Sequence, residues 1–333
     1  MAWLVTGGAG YIGAHVVRAF TDQSLAAVVV DDLSSGHRDF VEHGVPFYQG
    51  NVNDSQLLHR IFNEHEIAGV VHLAAFKYAG VSVSRPLHTY TQNVTSMIAL
   101  LAAMAEHEVA RFVFSSSAAV YGTPETEHVT EATPTRPKSP YGESKLIGEW
   151  LLTDQARATE AGARPLRSAS LRYFNVVGAG YPDLRDTSPH NLFPLIFDAL
   201  AAGRVPYING NDYPTPDGTC VRDYVHVSDL ALAHVAAAQA LVSGAELEPV
   251  YNLGSGTGLS VRQIMDAVAR VTGIDFTPEV RGRRPGDPAQ IVATGELAGR
   301  DLGWRMRHTV DEMVASAWAA NQAAAQSGQA ATG

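Results

Sequence analysis

Short apolar runs alternate with amphipathic stretches along the first half of the chain. Strands are predicted where four to seven apolar residues follow one another, and helices where apolar residues recur every three or four positions. The predicted strands are residues 2–6, 27–30, 45–49, 69–75, 111–114 and 168–173, and the predicted helices are 11–20, 55–66, 87–107 and a segment from 139 onward. Repeated strand–helix units with short connections indicate a parallel sheet with helices on both faces.

The pattern changes after residue 175. Residues 176–220 are rich in Gly, Pro, Asp and Asn and contain one predicted helix at about 193–202, and further helices are predicted at 228–241, 261–271 and 309–324. We therefore predict an α/β protein: a Rossmann-type doubly wound parallel sheet in residues 1–174, to which about 220–245 returns, with a smaller mixed α/β substrate-binding lobe in 175–333. The tail, residues 323–333, is expected to fray.

A glycine-rich turn follows the first predicted strand. Gly7, Gly10 and Gly13 lie between that strand and a helix, which is the arrangement that binds a dinucleotide pyrophosphate on free backbone N–H groups. The second strand ends at Asp31 and Asp32, roughly 20 residues after the turn, where a carboxylate accepts hydrogen bonds from a ribose. Two carboxylates, with no arginine before Arg38, would repel a 2′-phosphate, so the sequence predicts NAD rather than NADP.

Other polar or small residues follow later strands. Ala74, Ser117 and Asn175 each come just after a predicted strand, as Gly7 and Asp31 do. Ligands of such sheets bind beyond the carboxyl ends of the strands, so we expect these residues to share one cleft with the cofactor.

Tyr141 and Lys145 are four positions apart on a helix that Ser139 and Pro140 begin. An ammonium beside a phenol lowers the phenol pKa from about 10, which would let the tyrosine exchange a proton near neutral pH. Such a pair is also common on ordinary helices, as an exposed tyrosine packed on a lysine stem. The glycine turn and Ser117 favour the catalytic interpretation. The same helix is predicted to bury an apolar stripe, namely Leu146, Ile147, Trp150 and Leu151.

Composition limits the class of protein. The chain has 333 residues, 46% of them hydrophobic and 17% charged, which is typical of a globular protein with a large core. The net charge of −10 disfavours nucleic acid as a partner. Cys220 is the only cysteine, which excludes an intrachain disulfide and favours a reducing compartment. No apolar run reaches the roughly 20 residues of a membrane span, and the start leaves no room for a signal peptide, so we expect a cytoplasmic protein without a membrane partner.

No metal site is predicted. His72, His190 and His226 do not follow any spacing typical of metal ligands, and we interpret them as core or edge histidines.

Several stretches together resemble one known family. They are residues 6–13, 114–122, 171–175, 210–219 and 221–227, together with Tyr141 and Lys145. In these the chain is similar to the UDP-glucose 4-epimerases (UDP-galactose 4-epimerases) of the extended short-chain dehydrogenase/reductase superfamily. The resemblance runs from residue 2 to about residue 318.

The resemblance implies a reaction without net oxidation. NAD takes a hydride from C4 of a UDP-hexose while Tyr141 takes the hydroxyl proton; the 4-keto sugar then turns over and receives the hydride on its other face. Lys145 is expected to lower the pKa of Tyr141 and hold the nicotinamide ribose, and Ser117 to bind the reacting oxygen. A homodimer is also implied, with the helices at about 93–107 and 141–155 as its interface.

The remaining site residues come from the same resemblance combined with the glycine turn. The expected cofactor-binding residues are Gly7, Gly10, Tyr11, Ile12, Gly13, Asp31, Asp32, Asn51, Val52, Leu73, Ala74, Ala75, Lys77, Asn93, Ser115, Tyr141, Lys145 and Phe174. The expected substrate-binding residues are Lys77, Ser117, Tyr141, Asn175, Asn191, Leu192, Tyr207, Ile208, Asn209, Arg222, Arg284, Asp287 and Ile291.

Four positions leave alternatives open. Arg222 could instead pair with Asp223, and Arg284 could belong to a solvated basic turn. Asn51 replaces the aspartate that the family usually places beside adenine. Ile291 stands where a side chain limits the size of the sugar, and it neither clearly admits nor excludes a 2-N-acetyl group.

Other functions were weighed against this one. An epimerase for UDP-N-acetylhexosamine, UDP-pentose or UDP-glucuronate would share the fold. A 4,6-dehydratase is disfavoured because Ala118 and Ala119 supply no carboxylate after Ser117. A non-catalytic NAD-binding sensor is disfavoured because Ser117, Tyr141 and Lys145 are all present.

Overall fold

The structure is a computed structural model that describes residues 1–158, 165–284 and 287–330. Its strands are β1 (Ala2–Thr6), β2 (Ala26–Asp31), β3 (Phe47–Gln49), β4 (Ile67–His72), β5 (Arg111–Ser117), β6 (His128–Val129), β7 (Arg167–Tyr173), β8 (Asn175–Val177), β9 (Tyr207–Asn209), β10 (Val221–Arg222), β11 (Tyr224–His226), β12 (Val250–Leu253), β13 (Leu259–Ser260), β14 (Glu279–Arg281) and β15 (Gln290–Ala293).

Helices connect and cover these strands. They are α1 (Tyr11–Asp22), α2 (Ser55–Glu64), α3 (Ala79–Ser84), α4 (Pro86–Tyr90), α5 (Ser96–Glu106), α6 (Pro140–Arg157), α7 (Leu192–Ala201), α8 (Val227–Ser243), α9 (Val261–Thr272), α10 (Glu296–Leu302) and α11 (Val310–Ala330). Short 3₁₀ turns occur at Arg38–Phe40 and Ala118–Tyr121, and a π-helical turn at Thr91–Thr95 joins α4 to α5.

Seven strands form one parallel sheet in the order β3-β2-β1-β4-β5-β7-β12. The chain begins in the middle of this sheet, builds outward to β3, and then returns to the other side of β1 with β4. The predicted Rossmann-type sheet is therefore confirmed. The point between β1 and β4 where the strand order reverses is where such sheets bind their ligands.

Apolar side chains cover both faces of the sheet, as parallel strands require. One cluster, on the side of α1 and α8, includes Val5, Val29 and Leu230, and the other, on the side of α2 and α5, includes Leu4, Val70 and Leu100. Helix α8 and strand β12 thus rejoin the first lobe, so the returning segment reaches Leu253 rather than about residue 245.

The second lobe consists of short strands and helices. Strands β13, β10, β15 and β6 form a four-stranded sheet, while β8 pairs with β11 and β9 with β14. Helices α7, α9 and α11 enclose an apolar cluster that includes Phe193, Ile264 and Met313. This lobe carries the mixed α/β character that the sequence predicts.

Two helix predictions need correction. On α6 the predicted apolar stripe is wrong at Trp150, which is 56% exposed. The polar residues Ser144, Lys145 and Glu149 are buried instead, because the helix packs that face against β5. Helix α11 continues to Ala330, so most of the segment expected to fray is helical, since alanine favours helix strongly. Residues 331–333 lie outside the described residues.

Across the described residues, the longest helices lack the apolar window that a membrane span needs.

Four histidines are buried in this fold and are held in the neutral form. Burial lowers their pKa from the ordinary 6.5 to about 4 for His15, His226 and His234 and to about 3 for His72. An unfolded chain binds these protons below pH 6.5, whereas the folded chain does so only near pH 4 or lower. The stability contributed by the neutral histidines is therefore complete above pH 6.5 and is lost as the pH falls toward about 4.

Replacing His234 is expected to reduce this acid sensitivity. His234 donates from Nδ1 to the Leu230 carbonyl and accepts from Ser115 Oγ through Nε2, 2.8 Å away. His234→Gln keeps an acceptor but does not titrate. The free energy of unfolding should therefore depend less steeply on pH than in the parent, and the slope should be smaller by about 1.4 kcal/mol per pH unit. Urea titrations across this range measure the slope. His43→Gln, at an exposed histidine, should keep the parent's slope, and an equally steep slope in His234→Gln would contradict the assignment.

Candidate active site

A cavity of about 1220 Å³ opens beyond the carboxyl ends of β1, β2, β4, β5 and β7. The second lobe forms its opposite wall through α7, β9 and β10. Its volume exceeds the roughly 300–1,000 Å³ of most single-ligand pockets, so it has room for a dinucleotide and a second ligand.

The glycine turn forms the floor of one half of the cavity. Gly7 has a positive φ of +74°, and a Cβ there would lie 2.7 Å from the Ala74 backbone nitrogen. A Cβ on Gly13 would lie 2.0 Å from the Gly7 carbonyl oxygen. Only glycine allows this close packing, which leaves the N-terminus of α1 open toward the cavity, where a pyrophosphate fits.

The carboxylates after β2 differ in what they contact. Asp31 is buried and accepts from the backbone N–H of Ala9 at 3.0 Å and of Leu33 at 2.8 Å, so it fastens the glycine turn to the end of β2. Asp32 is exposed and accepts from Ser34 N and from Asn51 Nδ2. Arg38 packs on the Phe47 ring, 4.6 Å from its centroid, and donates to the Val41 carbonyl rather than to either carboxylate, so it is not placed to bind a 2′-phosphate there.

Asn51 is held by the protein on both ends of its amide. Its Nδ2 donates to Asp32 Oδ2 and to Gln92 Oε1, each at 3.0 Å, and its Oδ1 accepts from Asn53 N at 2.9 Å. A carboxylate at this position could not donate these bonds and would repel Asp32. The asparagine therefore links the loop after β3 to the π-helical turn at one end of the cavity.

Three consecutive serines join the end of β5 to α6. The Ser115 carbonyl accepts from Lys145 Nζ at 2.7 Å, and Ser116 Oγ donates to Glu149 Oε1 at 2.5 Å. Ser117 lies close enough to the Tyr141 phenol to lower its pKa, and its Oγ accepts from Ala119 N. Ser139 caps the start of α6, accepting from Gly142 N, so Tyr141 stands in its first turn facing the strand end. The predicted triad of Ser117, Tyr141 and Lys145 is thus brought together in one cavity.

The direction of the Tyr141 pKa differs from the prediction. Burial raises this pKa above 10, against a smaller lowering by the nearby Ser117. The Lys145 ammonium lies 5.9 Å from the Tyr141 ring centroid and donates to Ser115 rather than to the phenol. Burial also lowers the pKa of Lys145 to about 7, with Glu149 opposing the shift. In this arrangement desolvation outweighs the attraction between the pair.

A buried ion pair lies behind the triad. Arg172 donates to Glu149 from Nε at 2.8 Å and from Nη2 at 2.5 Å, and its Nη1 donates to Tyr121 OH at 2.9 Å. Tyr121 in turn donates to Asn252 Oδ1 at 2.6 Å. Arg172 lies on β7, and Glu149 also accepts from Ser116 on β5, so Glu149 fixes α6 against both strands.

The other half of the cavity carries cationic and amide groups. Arg222 donates from Nη1 to the Val221 carbonyl, and its Nη2 is buried, 3.4 Å from Asp287 Oδ1 and without a hydrogen bond. The alternative pairing of Arg222 with Asp223 does not occur, because Asp223 accepts instead from the backbone of Ser255, Gly256 and Ala293. A buried guanidinium with a free donor fits a diphosphate.

Most predicted site residues line this cavity. They are Gly7, Gly10, Tyr11, Ile12, Gly13, Asp31, Asp32, Asn51, Val52, Leu73, Ala74, Ala75, Lys77, Ser117, Tyr141, Lys145, Phe174, Asn175, Asn191, Leu192, Tyr207, Asn209, Arg222, Arg284 and Asp287.

Four predicted residues lie behind the lining. Asn93 accepts from the Phe76 N–H and donates to the Phe76 carbonyl. Ser115 accepts from Lys145 Nζ through its carbonyl and is hydrogen-bonded through Oγ to His234 Nε2. Ile208 is buried in the second lobe's apolar cluster. Ile291 is 7% exposed and belongs to an apolar cluster with Tyr121, Leu146 and Phe174, so Phe174 rather than Ile291 faces the cavity.

The sequence did not indicate several lining residues. Phe76, Tyr78 and Tyr173 also line the cavity. The available signal was that each is adjacent in sequence to a predicted site residue, namely Lys77 or Phe174. Asp186 lies in the irregular segment, where no pattern marked it. Its carboxylate accepts from Asn191 Nδ2 at 2.7 Å and so orients that predicted substrate-binding amide. Burial raises the Asp186 pKa.

Among the described residues, no three His, Cys, Asp or Glu side chains are grouped so as to hold a metal ion.

Comparison with known proteins gives a consistent result. Residues 3–254 match the model of the NAD dependent epimerase/dehydratase family. UDP-glucose 4-epimerase from Azospirillum brasilense is 42% identical over 319 residues, which cover 94% of this chain and 90% of that protein.

Solved structures agree with the fold over its length. UDP-glucose-4-epimerase from Stenotrophomonas maltophila, with bound NAD and formylated UDP-arabinopyranose, superposes with a TM-score of 0.91 at 38% identity, covering 98% of this chain and 99% of that one. UDP-glucose 4-epimerase from Bifidobacterium longum, in complex with NAD⁺ and UDP, has a TM-score of 0.87 at 36% identity, covering 97% and 98%.

Breaking the buried ion pair is expected to destabilise the protein strongly. Glu149→Leu leaves the Arg172 guanidinium buried without its carboxylate, at a cost of about 3–5 kcal/mol in the free energy of unfolding. The double variant Glu149→Leu with Arg172→Met removes both charges and should recover much of that loss. Urea titration measures both values. Equal stability of parent and single variant would show that the pair does not hold α6 to the sheet.

Proposed function

The chain belongs to the NAD dependent epimerase/dehydratase family, and we propose that it acts there as an isomerase that inverts C4 of a UDP-hexose, interconverting UDP-glucose and UDP-galactose. The observation that carries the proposal is one cavity that joins a dinucleotide turn, the Ser117–Tyr141–Lys145 group and the buried Arg222. The names and bound ligands of the similar proteins point to the same reaction.

The residues around the turn would hold NAD. Gly7, Gly10 and Gly13 leave the N-terminus of α1 open for the pyrophosphate, and Asp32 faces the ribose position. NAD bound there would supply the acceptor for the hydride of C4, and the hydride would later return to the same carbon. The side chains of the protein would transfer the proton and bind the UDP group.

Tyr141 would take the proton from the C4 hydroxyl and later give it back. Ser117, beside the phenol, would orient the hydroxyl between them. The raised pKa of Tyr141 means that the phenolate needs a nearby cation, and Lys145 supplies it. Burial lowers the Lys145 pKa to about 7, so this cation is fully present only below neutral pH.

The second lobe would hold the UDP group. The free donor of Arg222 and the exposed Arg284 would bind the diphosphate, while Tyr207 and Asn209 on β9 would contact the uridine. Charge-assisted bonds from two arginines offset the repulsion from a net acidic protein. Asn175 and Asn191 present amides between this region and Tyr141.

The position of Ile291 bears on which sugars are accepted. Its side chain lies behind Phe174, so it does not by itself limit the space for a 2-N-acetyl group. UDP-N-acetylhexosamines therefore stay the second candidate substrates. A substrate panel of UDP-galactose and UDP-N-acetylgalactosamine distinguishes the two possibilities directly.

The proposed reaction is tested with the purified protein, added NAD and UDP-galactose. We expect UDP-glucose to form without a reductant, and Tyr141→Phe to lose at least about 100-fold in kcat while still binding NAD, because it removes the proton acceptor. Tyr48→Phe, outside the cavity, should behave as the parent. Product is measured by chromatography and NAD by fluorescence quenching. Absence of UDP-glucose with the parent would falsify the proposed function.

We also propose that the protein is a homodimer of the cytoplasm, where its lone cysteine stays reduced. Exposed apolar side chains gather on one side of the first lobe: Val83 is 62%, Leu87 81%, Ile98 50% and Trp150 56% exposed. They stand on α3 to α6, close to the interface expected from the sequence. An exposed group of large apolar side chains supports association with a second copy.

Trp150→Glu is expected to convert the dimer to a monomer, because a carboxylate would be buried in an apolar interface. Light scattering measures the mass, with 35.5 kDa expected for the monomer. Val280→Glu changes another exposed apolar residue, 45% exposed on β14, and should leave the dimer intact. A parent protein that is monomeric at all concentrations would rule out this interface.

A further inference from the structure

A row of four aromatic rings lines the cavity and has no part in the proposed proton transfer. His88 meets Phe76 with ring centroids 4.9 Å apart, Phe76 meets Tyr78 at 5.4 Å, and Tyr78 meets His190 at 4.9 Å. Each contact is edge-to-face, with interplanar angles of 83°, 83° and 76°, the arrangement that aromatic pairs prefer. We call these four residues the aromatic row.

The aromatic row connects the two walls of the cavity. Phe76 and Tyr78 follow β4 in the first lobe, whereas His190 precedes α7 in the second lobe. Tyr78 is half-buried and His190 is exposed, so their contact lies where the cavity meets solvent. The Tyr78–His190 pair therefore spans the gap between the lobes at the rim.

The first-lobe part of the row is fastened to the catalytic helix. Asn93 accepts from Phe76 N at 2.7 Å, donates to the Phe76 carbonyl at 3.1 Å, and donates to Ser144 Oγ on α6 at 2.8 Å. Ser82, on the short helix that Tyr78 begins, accepts from Tyr141 N at 3.2 Å. These bonds hold the row at a constant distance from the reacting groups.

The proposed reaction has a particular need for such a wall. After C4 gives its hydride to the cofactor and the C4 hydroxyl gives its proton to Tyr141, C4 is a ketone carbon, and the sugar must turn before the hydride returns. If the ketone left first, the hydride would stay on the cofactor and the enzyme would be inactive. Aromatic rings offer close apolar contact without directional hydrogen bonds, so they confine a sugar and still let it turn.

We propose that the aromatic row, through the Tyr78–His190 contact, retains the 4-keto sugar in the cavity between the two hydride transfers. The inference rests on the proposed function and adds a residue role to it. Tyr78 and His190 contact the intermediate and set the ratio between its return to product and its release.

The test follows the redox state of the cofactor during turnover. NAD-loaded parent, Tyr78→Ala, His190→Ala and Tyr78→Phe are incubated with UDP-galactose. Reduced nicotinamide is read by absorbance and free UDP-4-keto-hexose by mass spectrometry of the filtrate. In the two alanine variants we expect the ratio of ketone released to ketone converted to product to rise about tenfold, as loss of one aromatic contact predicts. Each ketone released should leave one reduced cofactor, and activity should decay with turnover.

Controls separate retention from a general loss of structure. Tyr78→Phe keeps the ring, so its ratio of released ketone to product should stay close to that of the parent, whatever its overall rate. Tyr48→Ala removes a comparable Tyr–His contact, Tyr48 with His65 at 5.6 Å, that does not line the cavity, and it should release no ketone. If Tyr78→Ala does not fold, His190→Ala, at an exposed residue, decides the question alone.

The outcomes are distinct. Alanine variants that epimerise steadily, with neither reduced cofactor nor free ketone, overturn the retention role while leaving the proposed function intact. A parent protein that forms no UDP-glucose shows that the proposed function is wrong, and the retention role falls with it. Reduced cofactor accumulating in the alanine variants and not in Tyr78→Phe supports the role.

Discussion

The contact between the end of β5 and the first turns of α6 determines the geometry of the whole site. Within it, Ser115, Ser116 and Ser117 successively engage Lys145, Glu149 and Tyr141. A strand and a helix joined at three successive levels cannot slide or rotate without breaking several hydrogen bonds at once. The sheet then fixes this unit relative to the glycine turn, because β5 and β1 both pair with β4. The glycine turn and the Ser117–Tyr141–Lys145 group therefore share one rigid frame.

Burial shifts the pKa values of the residues at the site, and it also destabilises every charged group there that lacks a partner. It raises the Tyr141 pKa and lowers that of Lys145, so each group resists its charged form in a dry environment. The same dryness obliges Glu149 and Arg172 to pair and to bind Ser116 and Tyr121. Desolvated charges are stable only as a complete network, so the residues behind the cavity are as constrained as those that face it.

Sequence reasoning reached the parts of the site that local rules determine. A strand, a glycine turn and a helix predict a nucleotide site because only Gly7 and Gly13 permit the close packing observed. The location of Ser117 followed from the rule that parallel strands end at one edge. What the sequence could not supply was the orientation of side chains in space. Asn93 braces a loop instead of facing the cavity, and Trp150 faces outward, because tertiary packing decides between neighbouring positions on a helix.

The two lobes divide the work between fixed and adjustable contacts. First-lobe groups are tied to the sheet by buried hydrogen bonds, as Lys145 is to Ser115 and Asn93 to Ser144. Second-lobe groups at the cavity, such as Asn191 and Arg284, are exposed and come from loops or helix ends. A reaction that removes and returns a hydride on one carbon needs the acceptor and base held still while the sugar turns. Lys145 is tied to the sheet, whereas Asn191 and Arg284 lie on loops or helix ends. A ligand bound by the second group of residues could therefore move without displacing the first.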